Sequence, residues 1–206
     1  MRIVSADELE YWLANGQVIE RDARGPKVVA LAEAGLLKIF HTRKHPLLVR
    51  YSPPAKVFAG NCARLLELGV AAPVVTETFW LDRSAGLSGC LYDPLPGRSL
   101  DALIAQPDFL EATLAPLADF ILGLHRKGIY FRSLHLGNIL MVENERFGLI
   151  DVLDLQFRRA PLSRRHVQRN FMHLRSYLQR RKIEFPFDRL LQIYARQADI
   201  KGFSLS

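Results

Sequence analysis

The alternation of apolar and polar positions predicts a β-rich first part of the chain and a helical second part. Short runs of β-type residues are separated by turns rich in Asp, Gly and Pro, which is typical of an antiparallel meander. The predicted strands cover residues 17–20, 27–31, 36–40, 74–81, 87–92, 139–141 and 147–150. Elsewhere the apolar residues recur at helical spacing. The predicted helices cover a short N-terminal segment that begins after Ser5, and residues 55–68, 100–104, 111–127, 162–182 and 187–198.

The change from strands to helices predicts an α+β fold with two lobes. The last long strand leaves through the segment Asp-Pro-Leu-Pro-Gly at residues 93–97, which reads as a hinge. We therefore expect an N-terminal lobe over 1–93, with one helix and an antiparallel sheet, and a helical C-terminal lobe over 94–206. A hinge between two lobes is a common place for a ligand.

The charge of the chain adds a basic segment to this picture. The formal net charge is +7, and no acidic residue occurs from position 156 to position 183. A basic face attracts phosphate-rich partners such as nucleic acid, anionic lipid headgroups or a phosphorylated glycan, although a simple solvated helix face has the same composition. Because no nucleic-acid recognition motif is present, we do not expect nucleic acid as the partner.

Composition also indicates the compartment. The two cysteines, Cys62 and Cys90, lie in apolar surroundings without metal-ligand spacing, which indicates reduced and packed thiols. The first twenty residues do not resemble a signal peptide. No apolar run approaches the roughly 20 residues that a spanning helix needs. We therefore expect a cytoplasmic protein that touches a membrane only at its periphery.

Candidate residues for phosphoryl transfer occur in both lobes. This reaction needs a cation on the α- and β-phosphates, oxygen ligands for Mg²⁺ and a group that positions the acceptor hydroxyl. Lys38 lies in the third predicted strand, between Leu37 and Ile39, and we expect it to face the cleft between the lobes. The alternative is a strand lysine exposed to solvent.

A second set of candidates surrounds a predicted hairpin. Asn138 and Asp151 are 13 residues apart, and the hairpin between them, with its turn at 143–145, should return both side chains to one edge. An amide oxygen and a carboxylate suit Mg²⁺, which prefers hard oxygen ligands. Asp154 adds a second carboxylate, which is either a further metal contact or a cap for the following turn.

Two stretches of this region resemble the kinases that phosphorylate the lipopolysaccharide core. Residues 128–140, GIYFRSLHLGNIL, are similar to their catalytic loop, and residues 149–154, LIDVLD, are similar to their metal-binding segment. Lys38 in LKIF and the segment LPGRSL at 95–100 extend the resemblance from about residue 17 to residue 177. The short members of this group are known as toluene tolerance proteins.

The resemblance implies a bilobal protein-kinase-like fold, ATP and Mg²⁺ as cofactors, and a function in lipopolysaccharide biosynthesis. Kinases of this group are cytoplasmic and phosphorylate inner-core sugars of the glycolipid at the inner membrane face. By this resemblance Lys38 contacts phosphates, and Asn138 and Asp151 hold Mg²⁺. The acceptor is then a glycolipid or sugar, and the segment Arg164–Lys182 contacts the glycolipid phosphates or the anionic membrane surface.

The chain departs from the kinase pattern at three places. Ser133 stands where the catalytic aspartate is expected, and a serine hydroxyl cannot serve as a carboxylate base at neutral pH. His135 offers an imidazole nearby, or is a structural hydrogen-bonding histidine. The turn between the first two strands has a single glycine instead of a glycine-rich loop. The helix after Lys38 lacks the usual central glutamate, so its partner is either Asn61 or Glu67.

Two functions follow from this set of residues. The favoured one is an ATP-dependent phosphotransferase of the lipopolysaccharide inner-core type, with Lys38 on the phosphates, Asn138, Asp151 and Asp154 at the metal, and Ser133 and His135 on the acceptor side. The alternative is a pseudokinase that binds nucleotide and acts as a regulatory or scaffold protein in envelope biogenesis. The residue at position 133 separates the two.

Overall fold

The computed structural model describes residues 1–32, 34–41, 49, 51–104, 106–143 and 146–200. The chain forms two compact units, Met1–Leu95 and Pro96–Ser206. The division falls in the Pro-Leu-Pro segment that follows the last strand of the first unit. The first unit is dominated by one sheet and the second by helices, so the α+β class predicted above is confirmed.

Among the described residues, the first unit contains a six-stranded sheet, a helix between its first and second strands and a helix between its fourth and fifth strands in chain order. Its elements are β1 (Arg2–Ile3), α1 (Ala6–Asn15), β2 (Gln17–Asp22), β3 (Gly25–Leu31), β4 (Gly35–Phe40), α2 (Pro54–Glu67), β5 (Val74–Asp82) and β6 (Leu87–Asp93). The strand order is β1-β5-β6-β4-β3-β2. All neighbours are antiparallel except β1 and β5, which are parallel. The predicted meander is therefore confirmed, and only the two-residue β1, too short to show a period, was not predicted.

Alternation along β4 assigns its side chains to the two faces of this sheet. Leu37 and Ile39 belong to a buried cluster that includes Phe79, against which Trp12 of α1 packs. Lys38 lies between them in the strand, so its side chain is on the opposite face, where Phe58 of α2 is found. The start of α1 is as predicted, because the Ser5 hydroxyl accepts a hydrogen bond from the Glu8 backbone N–H at 3.1 Å.

The second unit combines helices with short strands. Its elements are β7 (Arg98–Ser99), α3 (Leu100–Leu103), α4 (Pro107–Arg126), β8 (Ile129–Phe131), β9 (Ile139–Met141), β10 (Phe147–Leu149), β11 (Leu155–Phe157), α5 (Arg164–Arg181) and α6 (Phe187–Gln197). Single 3₁₀ turns occur at Leu136–Asn138 and Val152–Asp154. The small sheets are β10-β9-β7 and β11-β8.

The differences from the predicted elements have simple causes. Strands β7, β8 and β11 were not predicted, because two or three residues show no readable alternation and, unlike β9 and β10, these strands do not flank a predicted hairpin turn. Helix α4 begins at Pro107 rather than at residue 111, because proline is well suited to the first helical position. Of the predicted hairpin turn at 143–145, residues 144 and 145 lie outside the described residues. Within the described ranges, no helix is both long enough and apolar enough to cross a bilayer.

Candidate functional site

Lys38 lies in the middle of the sheet of the first unit. It pairs in register with Val28 of β3 and Cys90 of β6, and only 6% of its surface is exposed. Its Nζ lies 5.0 Å from the centroid of the Phe58 ring and 5.8 Å from that of Phe40, which are cation–π distances. The alternative of a solvent-exposed strand lysine is therefore wrong.

Helix α2 distinguishes the two candidate partners of Lys38. Glu67 forms an ion pair with Arg64 at 2.6 Å near the end of the helix, and 62% of its side chain is exposed. Asn61 belongs instead to the buried face of α2, with Phe58 and Cys62. Of the two candidates, Asn61 is therefore the one on the face of α2 that packs near Lys38.

The two cysteines lie in the same part of the first unit. Burial raises the pKa of both Cys62 and Cys90 to about 12, although the Lys38 charge acts in the opposite direction on each thiol. The expectation of reduced, packed thiols agrees with this, since both cysteines are buried and free.

In the second unit, the hairpin of β9 and β10 brings Asn138 to the segment that precedes Asp151. Ile139 pairs with Leu149, and the Ile150 backbone N–H donates to the Asn138 carbonyl at 3.1 Å. Asn138 is buried, and its Nδ2 donates to the Ser133 carbonyl at 3.1 Å. The amide nitrogen is thus hydrogen-bonded within the loop at residues 132–138, which connects β8 to β9.

Asp151 has an unusual backbone conformation. Its φ of 52° and ψ of 44° are in the left-handed region, where a residue with a Cβ is strained. Such strain costs on the order of 1–3 kcal/mol and persists where the surrounding structure imposes it, often at functional sites. The residue precedes the 3₁₀ turn Val152–Asp154, and its side chain is exposed. Asp151 lies two residues beyond the end of β10, with an exposed side chain.

The structure places Ser133 in contact with Asp154. The Ser133 hydroxyl donates to Asp154 Oδ2 at 2.6 Å, and Arg132 Nε donates to the same oxygen at 3.2 Å. Asp154 Oδ1 is buried and has no hydrogen-bond partner within the described part of the chain. Asp154 is thus a carboxylate adjacent to position 133, which the sequence did not predict.

His135 is held by an aromatic neighbour. Its ring stacks on Tyr177 of α5 with centroids 4.1 Å apart and planes at 1°. Tyr177 donates its hydroxyl proton to Asp101 Oδ2 at 3.1 Å. Burial lowers the pKa of His135, while the carboxylates of Asp101, Asp151 and Asp154 act in the opposite direction. His135 is therefore a packed and mainly neutral imidazole at the edge of the loop.

Gly137 leaves room for this arrangement. A Cβ at this position would lie 3.0 Å from Asp101 Oδ2 and 3.1 Å from the Tyr177 hydroxyl. Both distances are tighter than ordinary van der Waals contact, so a larger residue would displace the pair. The glycine thus allows the close approach of the loop to α5.

A buried chain of hydrogen bonds connects the residue before the loop to three helices. Asn170 Nδ2 donates to the Phe131 carbonyl at 2.7 Å, so Asn170 Oδ1 faces His125 Nε2 at 3.2 Å and accepts its proton. His125 Nδ1 is then the acceptor for the Tyr194 hydroxyl, 2.8 Å away. Burial lowers the pKa of His125 to about 4. A neutral imidazole thus connects α4, α5 and α6 to the start of the loop.

Sequence reasoning did not identify Asp101, Tyr177 or Asn170 as neighbours of the loop. A usable signal exists for Asn170, because it is a polar residue within the buried face of α5, three positions after Val167 and four before Leu174. A buried polar residue needs a hydrogen-bond partner, which marks the position as structural or functional. Asp101 and Tyr177 carry no comparable local signal.

The residues that could hold Mg²⁺ have suitable chemistry. The amide oxygen of Asn138 and the carboxylate of Asp151 are hard oxygen donors, and the main-chain hydrogen bond between Asn138 and Ile150 keeps the two residues close. Over the described ranges, no cluster of three or more His, Cys, Asp or Glu side chains is arranged to hold a metal ion. The donor set thus fits an ion that takes few protein ligands and completes its shell with phosphates and water.

Comparisons with known proteins give a likeness in fold only. No protein-family model and no curated protein sequence matches the chain. Two solved structures of WbdD, one of them described as a bifunctional kinase-methyltransferase, are similar with TM-scores of 0.49 and identities of 19% and 20%. Each match covers 84% of this chain, and the chain spans 43% and 42% of the length of the matched chains.

Proposed function

We propose that this protein is a kinase-like, ATP-dependent phosphotransferase that acts on an alcohol group of a sugar. The observation that carries the proposal is the juxtaposition of Asn138 with the strained Asp151 at the base of the β9–β10 hairpin. An amide and a carboxylate held in this way are the protein ligands that a Mg²⁺–nucleotide complex requires.

Each residue of the proposed site has a limited task. Asn138 and Asp151 would hold Mg²⁺, which neutralises charge on the transferred phosphoryl group when it is bound. In the first unit, Lys38 stays a predicted phosphate contact, and it is buried in the central strand β4 near the Phe58 ring. Ser133 and His135 would line the acceptor side of the loop.

We further propose that the acceptor is a phosphorylated glycolipid such as the lipopolysaccharide inner core. The support is the exposed face of α5, which is rich in arginine and includes Met172, a side chain that is 50% exposed. The exposed arginines of this helix are Arg164, Arg165, Arg169, Arg175, Arg180 and Arg181. A basic residue near an anionic membrane surface contributes about 1 kcal/mol to binding. The same face would bind phosphates of the glycolipid or the membrane in which it lies.

One observation favours the alternative of a pseudokinase. Position 133 carries a hydroxyl instead of a carboxylate, and general-base assistance is worth about 10²- to 10⁴-fold in rate. A protein without that assistance would still bind nucleotide through Asn138 and Asp151. The two functions therefore differ in turnover and not in binding.

The test measures both properties in the same preparations. We expect Mg²⁺–ATP to raise the melting temperature and phosphate to appear on a lipid A–core acceptor, with both effects lost in Asp151→Ala. The control is Asp119→Ala, which removes an exposed carboxylate on α4 and should behave as wild type. Stabilisation without transfer would establish the pseudokinase. No stabilisation and no transfer would overturn the proposal.

A further inference from the structure

The hydrogen bond between Ser133 and Asp154 has a defined direction. A carboxylate accepts and a hydroxyl donates, so the Ser133 proton lies on the line to Asp154 Oδ2, 2.6 Å away. Bonds of this length are typical of a hydroxyl that donates to a charged oxygen. The two lone pairs of the Ser133 oxygen are left to accept a hydrogen bond from another group.

Within the described residues, the hydrogen bonds to the Asp154 carboxylate are all to Oδ2. Oδ2 already receives the Ser133 hydroxyl and the Arg132 guanidinium, and a cation beside it would face that guanidinium. Oδ1 is buried, and only 21% of the side chain is exposed. Ser133 itself is a partly exposed residue beside this carboxylate.

We propose that Ser133 and Asp154 form a proton relay that replaces the missing catalytic aspartate. This inference rests on the proposed phosphotransferase function and names the groups that would carry its proton. Ser133 is the catalytic residue, because it would touch the acceptor hydroxyl. Asp154 is a positioning residue that acts through Ser133 and receives the proton.

The proposed step balances in atoms and charge. The acceptor oxygen forms a bond to the γ-phosphorus of the nucleoside triphosphate, and the bond from that phosphorus to the bridging oxygen breaks, so the nucleoside diphosphate leaves with the electron pair. The acceptor proton passes to the Ser133 oxygen while the Ser133 proton passes to Asp154 Oδ2. Asp154 becomes protonated and returns the proton to solvent after the product leaves.

The relay predicts that placing an aspartate at position 133 lowers turnover, whereas restoring a missing catalytic base would raise it. A carboxylate introduced by Ser133→Asp would lie at hydrogen-bond distance from the Asp154 carboxylate, and two such groups cannot both be ionised without a cost. Turnover should therefore fall in Ser133→Asp. A kinase that merely lacks its base should gain turnover from the same change.

The decisive experiment compares Ser133→Ala with Ser133→Thr, because threonine keeps the hydroxyl and alanine removes it. We expect Ser133→Ala to lower kcat by about 10²- to 10⁴-fold while Ser133→Thr retains most of the activity. Asp154→Asn should lower kcat by a similar factor, and the double variant Ser133→Ala/Asp154→Asn should lose little more, since the two groups act as one unit. The Kd of Mg²⁺–ATP should be unchanged in all of these variants.

Several outcomes would overturn the relay. If kcat of Ser133→Ala stays within a factor of about three of wild type, Ser133 transfers no proton although the phosphotransferase stands. If Asp154→Asn abolishes Mg²⁺–ATP binding, Asp154 is a metal ligand instead. If Asp154→Asn does not fold, the alanine and threonine variants decide the question, since both retain Asp154. Absence of transfer by the wild-type protein would defeat the proposed function itself and the relay with it.

Discussion

Low pH should destabilise this protein through His125. This buried histidine is hydrogen-bonded to Asn170, which in turn donates to the Phe131 carbonyl just before the loop. The imidazole is 3% exposed, and burial lowers its pKa from the ordinary value of 6.5 to about 4. As the pH falls below 6.5 the unfolded chain binds a proton that the folded chain does not. The neutral His125 therefore contributes stability that is fully present above pH 6.5 and is lost as the pH falls toward 4.

The magnitude follows from the pKa difference. A shift of one pKa unit corresponds to about 1.4 kcal/mol, so the change from 6.5 to about 4 is worth on the order of 3 kcal/mol. About 2 kcal/mol of this should already be lost at pH 5, where the unfolded imidazole is almost fully protonated. Against a typical total stability of about 5–15 kcal/mol, this loss is readily measured.

The assay must report on the second unit. Both tryptophans, Trp12 and Trp80, lie in the first unit, so fluorescence does not follow the region around His125. Denaturant unfolding monitored by circular dichroism of the helices, at a series of pH values, gives the free energy of unfolding. We expect the wild-type value to fall between pH 7 and pH 4.5 by about 2–3 kcal/mol more than that of His125→Gln.

A matched variant separates the titration from the hydrogen bonds. Tyr194→Phe removes the hydroxyl that donates a hydrogen bond to His125 Nδ1 and keeps the imidazole buried. It should lower the free energy of unfolding by about 1–3 kcal/mol at neutral pH and preserve the acid dependence. Burial also lowers the pKa of His135 and of His173. The test is therefore the difference in acid dependence between wild type and His125→Gln, and not the pH dependence of the wild-type free energy of unfolding alone. An identical acid dependence in wild type and His125→Gln would refute the reasoning.

Three further predictions concern the loop, the arginine face and the thiols. Gly137→Ala should destabilise by about 1–3 kcal/mol through overpacking against α5 and lower turnover, as seen by thermal unfolding and transfer assays. Arg169→Glu/Arg175→Glu should weaken binding to vesicles with anionic lipid and reduce its salt dependence, whereas Lys56→Glu on α2 should leave both unchanged. Both cysteines should resist a disulfide reagent at neutral pH in the native protein and react after denaturation, because burial keeps them as thiols.

Local patterns determined the elements and one pair of site residues. Alternation along the chain was sufficient for the long strands of the first unit and for the helical segments of the second, because a period repeats several times within each. Asn138 and Asp151 meet through a hairpin of consecutive strands, whose pairing depends only on the intervening residues. Local sequence was therefore enough to name this pair of oxygen donors.

Only the tertiary structure decided what surrounds the loop. Tyr177 reaches Asp101 across 76 positions, and His125 reaches Tyr194 across 69. Such contacts depend on how helices pack, and packing leaves no periodic trace of which side chains will meet. The contact of Ser133 with Asp154 is of the same kind, since it requires β8 and β11 to pair. The sequence thus determined that a carboxylate is missing at position 133, and the pairing of two short strands decided which carboxylate stands beside it.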